Sequence, residues 1–263
     1  MDQLSIIVPC YNEEQTVELF YTEVEKMSQY MPDIQTDYLF VDDGSTDRTL
    51  EKVKELHVRD KRVKYISFSR NFGKEAAMYA GLEHVSGEYA VIMDADLQDP
   101  PKLLPEMLRI IREEQYDSVA TRRVTRKGEP PIRSFCARQF YHIMNKISDV
   151  ELMDGARDYR FMTRKYVNAV LSLKEFNRFS KGIFGWVGFR TKWLEFENQE
   201  RSAGETKWSF WKLVQYSLQG IISFSETPLY IASILGGGMC GVALLAIIFI
   251  IVRQLLFGGS AFG

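Results

Sequence analysis

The sequence contains few of the residues that build metal clusters or disulfide frameworks. Its 263 residues include only three cysteines and three histidines. Cys10, Cys136 and Cys240 have no CxxC spacing and form no even set. This pattern argues against a zinc cluster and is typical of a reducing compartment. We therefore interpret the three cysteines as packing residues.

Glycine-rich phosphate loops and targeting segments are also lacking. No GxGxxG follows the first predicted strand and no GxxxxGK(S/T) occurs in the sequence, which argues against the common dinucleotide-binding and P-loop enzymes. The apolar run LSIIVPC is too short for a signal peptide and follows the acidic Asp2, so we expect this part of the chain to stay in the cytoplasm. The formal net charge of -2 gives no reason to expect nucleic acid.

One long stretch without charge is present near the C-terminus. Between Glu226 and Arg253 no side chain is charged. Roughly 26 helical residues would reach about 39 Å, more than the roughly 30 Å hydrocarbon core of a bilayer. We predict a transmembrane helix at 227–252 and a tail at 253–263 that stops before a second membrane helix. A buried core helix is the alternative.

The segment before this stretch has a helical apolar pattern. At 205–226, apolar residues recur at helical spacing, with Trp208, Trp211, Lys207 and Lys212 among them. Aromatic residues and lysines suit the headgroup layer, and the lysines favour the cytoplasmic side. We predict a helix on the membrane surface, with an amphipathic core helix as the alternative.

The first half of the chain alternates short β-branched runs with segments of helical period. Such alternation predicts a mostly parallel sheet flanked by helices. The predicted strands are LSIIVP, DYLFVD, VKYISF, YAVIMD and DSVAT, and the predicted helices are Val17–Met27, Thr49–Val58, Glu75–His84 and Leu103–Glu114.

Acidic residues follow two of these predicted strands. Asp42 and Asp43 come after the second strand, and Asp94 and Asp96 after the fourth. Ligands of open α/β sheets bind beyond the carboxyl ends of the strands. Carboxylate oxygens commonly hold Mg²⁺ or Mn²⁺ against a diphosphate, so we predict a metal site of this kind. A solvated turn is the alternative interpretation of an isolated Asp-x-Asp.

Five motifs in order, IIVPCYNEE, VDDGSTD, RNFGKEAAM, MDADLQDPP and RDYRFM, resemble those of the family 2 glycosyltransferases. Within that family the chain is similar to the polyprenyl-phosphate glycosyltransferases, from about Leu4 through the apolar stretch. The resemblance implies a GT-A fold and a catalytic domain at 1–204. Enzymes of the bactoprenol type usually carry two membrane helices, which is why we expect this sequence to be truncated.

The resemblance also implies a set of site residues. Nucleotide-sugar binding is expected from Pro9, Tyr11, Glu13, Asp42, Asp43, Lys74, Asp94, Ala95 and Asp96; metal binding from Asp94, Asp96 and Gln98; and catalytic roles from Asp96 and Asp158. A helix entry remains the alternative for Tyr11 and Glu13, an Asx turn for the Asp42–Asp43 pair, and a surface lysine for Lys74. We expect Asp99 to cap the next helix, which Pro100 and Pro101 would start.

Basic residues downstream of these motifs suit an anionic acceptor, since guanidinium groups bind phosphate oxygens in pairs. The resemblance places the lipid phosphate among residues of these segments, and we assign it to Arg122, Arg126, Arg133, Arg201 and Lys207. A solvated loop is the alternative. The role of Asp158 stays open between orienting the sugar, an arginine or the metal shell, acting as a base, and forming an ion pair with Arg157 or Arg160.

Together these features predict an inverting glycosyltransferase of the cell membrane whose catalytic domain faces the cytoplasm. We expect it to move a sugar from a nucleotide-diphosphate sugar, with UDP as the expected nucleotide, to a polyprenyl phosphate for cell-envelope glycosylation. A homo-oligomer is compatible with the sequence. The alternatives are a hydroxyl-directed membrane-associated glycosyltransferase and a non-catalytic membrane scaffold. A processive polysaccharide synthase is excluded because the sequence lacks QxxRW.

Overall fold

The computed structural model describes residues 1–124, 131–148, 150, 152–175, 178–197, 217–218 and 220–258, without the side chains of 131–138. Its strands are β1 Asp2–Cys10, β2 Ile34–Asp42, β3 Val63–Ser67, β4 Tyr89–Ile92, β5 Ser118–Arg123, β6 Ala156–Thr163 and β7 Thr191–Phe196. Its helices are α1 Val17–Ser28, α2 Thr49–Arg59, α3 Lys74–His84, α4 Leu104–Glu114, α5 Pro131–Ile147, α6 Arg164–Ser172, α7 Ser180–Trp186 and α8 Thr227–Phe257, with a 3₁₀ turn at Pro101–Leu103.

The seven strands form one mixed sheet in the order β3-β2-β1-β4-β6-β5-β7. Strand β1 pairs in parallel with both β2 and β4, so the strand order reverses direction beside β1. Strand β6 runs antiparallel between β4 and β5. A reversal of this kind opens a crevice at the carboxyl ends of the parallel strands, which is where α/β sheets bind ligands.

Helices cover both faces of the sheet, because alternate strand residues point to opposite sides. Val8 packs into the cluster with α1, α2 and α4, whereas its neighbour Ile7 packs into the cluster with α3, α6 and α7. Gly81 of α3 lies so close to the sheet that a Cβ there would be 2.2 Å from the side chain of Ile7. Helix α3 follows β3 and returns along the sheet, so Lys74 at its first position lies at the ligand edge.

The predicted strands and helices of the first half are confirmed, each within a few residues of the observed bounds, and the 3₁₀ turn begins at Pro101 as expected. The interpretation of Asp99 as a helix cap is wrong. Pro100 occupies the capping position and no side chain caps the turn. Asp99 is instead fully buried and ion-paired.

The apolar stretch forms one helix, α8, which contains an 18-residue window with a mean hydropathy of 2.6 and is long and apolar enough to cross a membrane. It begins at Thr227 as predicted but continues to Phe257, so the first five residues of the predicted tail, Arg253 included, are helical. Its 31 residues reach about 46 Å at about 1.5 Å each. Most of the predicted surface helix at 205–226 lies outside the described residues, and 217–218 and 220–224 are helical.

Candidate active site

The sheet brings four of the predicted acidic residues to one edge. Asp42 ends β2, Asp43 follows it, and Asp94 and Asp96 follow β4, on either side of β1. Because β6 is antiparallel to β4, its beginning lies beside the end of β4, with Arg160 opposite Ile92. Residues 157 and 158 therefore enter the site from a strand far away in sequence.

Five side chains at this edge form a line in which carboxylates and cations alternate. The ammonium Nζ of Lys74 lies 2.6 Å from Asp94 and 2.5 Å from Asp158. The guanidinium of Arg157 lies 2.8 Å from Asp99 and 3.7 Å from Asp94. We call the line Asp158, Lys74, Asp94, Arg157 and Asp99 the ion chain. It places Asp94 between two cations.

Contacts within the ion chain and burial shift the pKa values of Asp158, Asp99 and Lys74. Burial would raise the pKa of Asp158, but the charge of Lys74, the charge of Lys181 and the hydrogen bond from Lys74 outweigh it and hold that pKa well below its ordinary value. Burial dominates at Asp99 and raises its pKa despite Arg157. Burial would lower the pKa of Lys74, but Asp158 and Asp94 raise it. Asp158 is therefore an ionised carboxylate that is poorly suited to accept a proton.

Asp96 and Gln98 lie in the tight turn that leaves β4. Leu97 adopts a positive φ of 56°, and the backbone N–H of Gln98 donates to Oδ1 of Asp96 at 3.1 Å. The Asp96 side chain is buried and that of Gln98 is half-buried, while Ala95 is buried beside them. The turn therefore holds two oxygen-bearing side chains close after Asp94.

The residues present fit a hard divalent cation in their chemistry. The ion chain has three carboxylates and two cations, which leaves one formal negative charge, and Asp96 adds a further carboxylate nearby. Oδ2 of Asp99 is buried and has no hydrogen-bond partner within the described part of the chain. Among those same residues, however, no three His, Cys, Asp or Glu side chains are arranged as a metal-binding group. A cation at Asp94 would have to compete with Lys74.

Asp42 and Asp43 stabilise the loops around this edge. Asp42 accepts hydrogen bonds from the backbone N–H of Ser45 at 3.2 Å and from the hydroxyl of Ser67 at 3.3 Å. Asp43 accepts from the N–H groups of Phe72 at 2.7 Å and Gly73 at 2.9 Å. Asp43 thus anchors the loop that delivers Lys74, a role that the sequence did not suggest. Contact of either carboxylate with a nucleotide stays a prediction.

The residues after β1 lie beside the same crevice. Pro9 is buried in β1, and Tyr11 and Glu13 are half-buried just beyond it. Glu13 accepts from the hydroxyl of Thr16 at 3.0 Å, and its own N–H donates to the hydroxyl of Thr49 at 2.6 Å. The helix-entry role left open for Glu13 is therefore observed, and a nucleotide contact for these residues stays a prediction.

Of the five residues assigned to the acceptor phosphate, the side chain of one is described. Arg122 donates to Oε1 of Glu195 at 3.0 Å and to the sulfur of Met153 at 3.2 Å. Its guanidinium therefore forms a salt bridge with Glu195. Arg133 lies in α5, but its side chain is outside the described part. The remaining three, Arg126, Arg201 and Lys207, lie outside the described residues altogether.

Sequence reasoning missed two features of the site. Arg157 was considered only as a partner of Asp158, whereas it binds Asp99 and lies near Asp94. Asp158 pairs with Lys74, not with Arg157 or Arg160. The signal was a basic residue adjacent to Asp158 in RDYRFM, but its partners depend on the insertion of β6 beside β4.

The fold is an α/β protein whose sheet carries acids on both sides of its switch point, and comparison with known proteins gives the family. Residues 5–171 match the family described as Glycosyl transferase family 2. The chain belongs to this family, and it is a glycosyltransferase. This confirms the family and the enzyme class predicted from the five motifs.

Its relatives align over nearly the whole chain. It is 46% identical over 250 residues to the Putative glycosyltransferase CsbB of Bacillus subtilis (strain 168), covering 94% of this chain and 74% of that protein. It is 36% identical over 261 residues to the Bactoprenol glucosyl transferase of Shigella phage SfV, covering 99% and 84%.

A solved structure shares the fold at low sequence identity. Glucosyl-3-phosphoglycerate synthase from Mycobacterium tuberculosis, in complex with Mn²⁺, UDP-glucose and phosphoglyceric acid, matches with a TM-score of 0.54 and 18% identity. The match covers 84% of this chain and 77% of that one. The predicted GT-A-like fold is confirmed by this likeness.

Proposed function

We propose that this protein is an inverting glycosyltransferase that moves a sugar from a nucleotide-diphosphate sugar to a polyprenyl phosphate. The observation that carries the choice of acceptor is the 2.5 Å salt bridge between Lys74 and Asp158, which lowers the pKa of this carboxylate. A hydroxyl nucleophile must lose its proton as it attacks, and a positioned base typically contributes about 10²–10⁴-fold. A phosphate monoester has a second pKa of about 6 and is already ionised near neutral pH. A phosphate acceptor therefore suits a site whose carboxylate is no base.

The relatives support the same acceptor. The bactoprenol glucosyl transferase matches 99% of this chain, so the likeness extends into α8. We propose that α8 crosses the cytoplasmic membrane, that the domain at 1–204 faces the cytoplasm, and that 205–226 lies on the membrane surface. A lipid-borne phosphate would then reach the site from the bilayer.

We assign roles to the residues of the site as follows. Asp94, Asp96 and Gln98 would hold Mg²⁺ or Mn²⁺, and the metal would stabilise the negative charge of the departing diphosphate. Asp158 orients Lys74 and the sugar, so that the anomeric carbon is presented to the acceptor oxygen on the opposite side from the leaving group. The salt bridge from Lys74, which lowers the pKa of Asp158, supports a positioning role for Asp158 over a role as base.

We propose Pro9, Tyr11, Glu13 and Asp42 as the lining of the nucleotide pocket. These residues flank β1 at the switch point, next to the acids that face the diphosphate. The nucleotide is proposed to be UDP. The structural neighbour with UDP-glucose and Mn²⁺ shares this fold, which makes UDP-glucose the first donor to test.

Product analysis tests this proposal. The full chain in detergent would receive labelled UDP- or GDP-sugars together with a short polyprenyl phosphate and a set of free saccharides. We expect label in an organic-extractable lipid that mild acid cleaves, and no transfer by Asp96→Asn or in excess chelator. Label found only in water-soluble glycosides would identify a hydroxyl-directed enzyme and overturn the choice of acceptor.

A further inference from the structure

Lys74 occupies an unusual place for a lysine. It is the first residue of α3, where the positive end of the helix dipole disfavours a cation. Its ammonium nevertheless lies within 2.6 Å of both Asp94 and Asp158, and its side chain is 29% exposed. The two carboxylates therefore outweigh the dipole and hold the ammonium against the residue proposed to bind a metal.

The backbone around Lys74 is held on both sides. Asp43 accepts hydrogen bonds from the N–H groups of Phe72 and Gly73, directly before the lysine. Glu75, directly after it, accepts from the backbone N–H of Ser180 at 3.1 Å and from the Ser180 hydroxyl. Lys74 is therefore delivered to the acids by a fixed segment, and only its side chain is free to change partner.

The two cations beside Asp94 differ in how easily they can leave. Arg157 is bound through its planar guanidinium to Asp99, which is fully buried and would be left without a cation. Lys74 carries a point charge on a flexible four-carbon stem and contacts acids at its tip only. Of the two, the ammonium of Lys74 is the one that can move to a nearby phosphate oxygen.

We propose that Lys74 is a resident cation at Asp94: the donor diphosphate draws its ammonium from Asp94, while the ammonium keeps its contact with Asp158. This inference rests on the proposed metal and donor. A divalent ion at Asp94 meets the like charge of Lys74 while the diphosphate is absent. Once a diphosphate oxygen accepts the hydrogen bond that the ammonium had donated to Asp94, the Asp94 carboxylate can bind the metal. Metal and nucleotide therefore favour each other's binding through Lys74, and the site resists loading with metal alone.

Binding measurements on the full chain in detergent test the resident cation. The affinity for Mn²⁺ is obtained from the electron paramagnetic resonance signal of free Mn²⁺, with and without UDP. In the wild-type protein we expect UDP to raise the Mn²⁺ affinity by at least about 10-fold, within the range of about 5–150-fold usual for coupled sites. Lys74→Met should bind Mn²⁺ more tightly without UDP and reduce the coupling below about 3-fold.

Three further variants complete the test. Lys74→Arg keeps the positive charge and should bind Mn²⁺ without UDP as weakly as the wild type. Lys64→Met removes a lysine that lies away from the site, where its ammonium is 2.9 Å from Asp37. This variant should change neither the Mn²⁺ affinity nor the coupling. Lys74→Gln keeps a polar side chain between the carboxylates and replaces Lys74→Met if the latter does not fold.

The outcomes separate this inference from the proposed function. If the wild type binds Mn²⁺ in the presence of UDP, and neutral variants at Lys74 leave the affinity without UDP unchanged or lower it, the resident cation is refuted while the metal site stands. If the wild type binds no Mn²⁺ even with UDP, the proposed metal fails, and the inference with it. Because coupling is reciprocal, calorimetry of UDP with and without Mn²⁺ must show the same loss of coupling in Lys74→Met.

Discussion

Replacing Arg157 with methionine removes the cation from a fully buried acid. Asp99 has no exposed side-chain surface, and Arg157 binds it at 2.8 Å while being 17% exposed itself. Breaking a buried pair by removing one partner costs about 3–5 kcal/mol, because the remaining charge is left uncompensated. In a body of about 200 residues each kcal/mol lowers the melting temperature by about 2–4 °C. We expect Arg157→Met to melt between about 6 and 20 °C below the wild type.

The loss should depend on pH with a definite sign. Burial already raises the pKa of Asp99 in the folded protein, and removing Arg157 raises it further. An acid with a raised pKa binds a proton more readily when folded, so its charge destabilises the protein above the unfolded pKa of about 4. The difference in melting temperature between wild type and Arg157→Met is therefore smallest near pH 4. It grows as the pH rises toward the raised pKa that Asp99 has in folded Arg157→Met.

Thermal unfolding in detergent, followed by intrinsic fluorescence, measures this difference. Arg112→Met is the matched control, because Arg112 also contacts two acids, Asp2 and Asp33, but at the surface. Surface pairs contribute about 0–1 kcal/mol. The double variant Arg157→Met with Asp99→Asn should recover part of the loss, since no buried charge remains. If Arg157→Met melts no lower than Arg112→Met, the uncompensated-charge argument is wrong.

Three further predictions concern other parts of the chain. Asp158→Asn should lower the transfer rate through lost orientation. The pH–rate profile of the wild type should show no inflection between about pH 5 and 9 that Asp158→Asn removes, because the pKa of Asp158 is held well below that range. Gly44→Ala should lower the melting temperature more than Gly73→Ala: both glycines have positive φ, but only at Gly44 would a Cβ meet backbone, 2.4 Å from Arg70, whereas Gly73 has open space. A chain lacking 227–257 should transfer sugar to a water-soluble short-chain polyprenyl phosphate but poorly to one in vesicles, and equal rates on both would contradict membrane delivery by α8.

Much of the fold could be predicted because its signals are local. The runs LSIIVP and DYLFVD are β-branched or aromatic and short, and each precedes a segment of helical period, so β1, β2 and their helices follow from neighbouring residues. Acids directly after strands could likewise be placed at the ligand edge by a general property of α/β sheets. The position of β6 could not be predicted, because pairing with β4 joins residues about 70 positions apart.

The partners of the site residues followed from that pairing. Lys74 and Asp158 are 84 positions apart and meet because α3 begins, and β6 enters, at the same edge. Asp99 stands before two prolines, a sequence typical of a helix start, yet its burial against Arg157 decided its role. Local preferences for a capping residue are worth about 1 kcal/mol, whereas leaving a buried charge unpaired costs several, so the tertiary contact prevails.

The sequence alone determined which residue types are available and where strands, helices and the apolar segment form, since these depend on side chains within a few positions of one another. It also determined the family, through five motifs in a fixed order. Only the tertiary structure decided that Asp94 lies between Lys74 and Arg157 and that Asp43 anchors a loop. Ion pairs form between groups a few ångströms apart, because the attraction between charges weakens with distance. The separation of two residues along the chain does not give that distance.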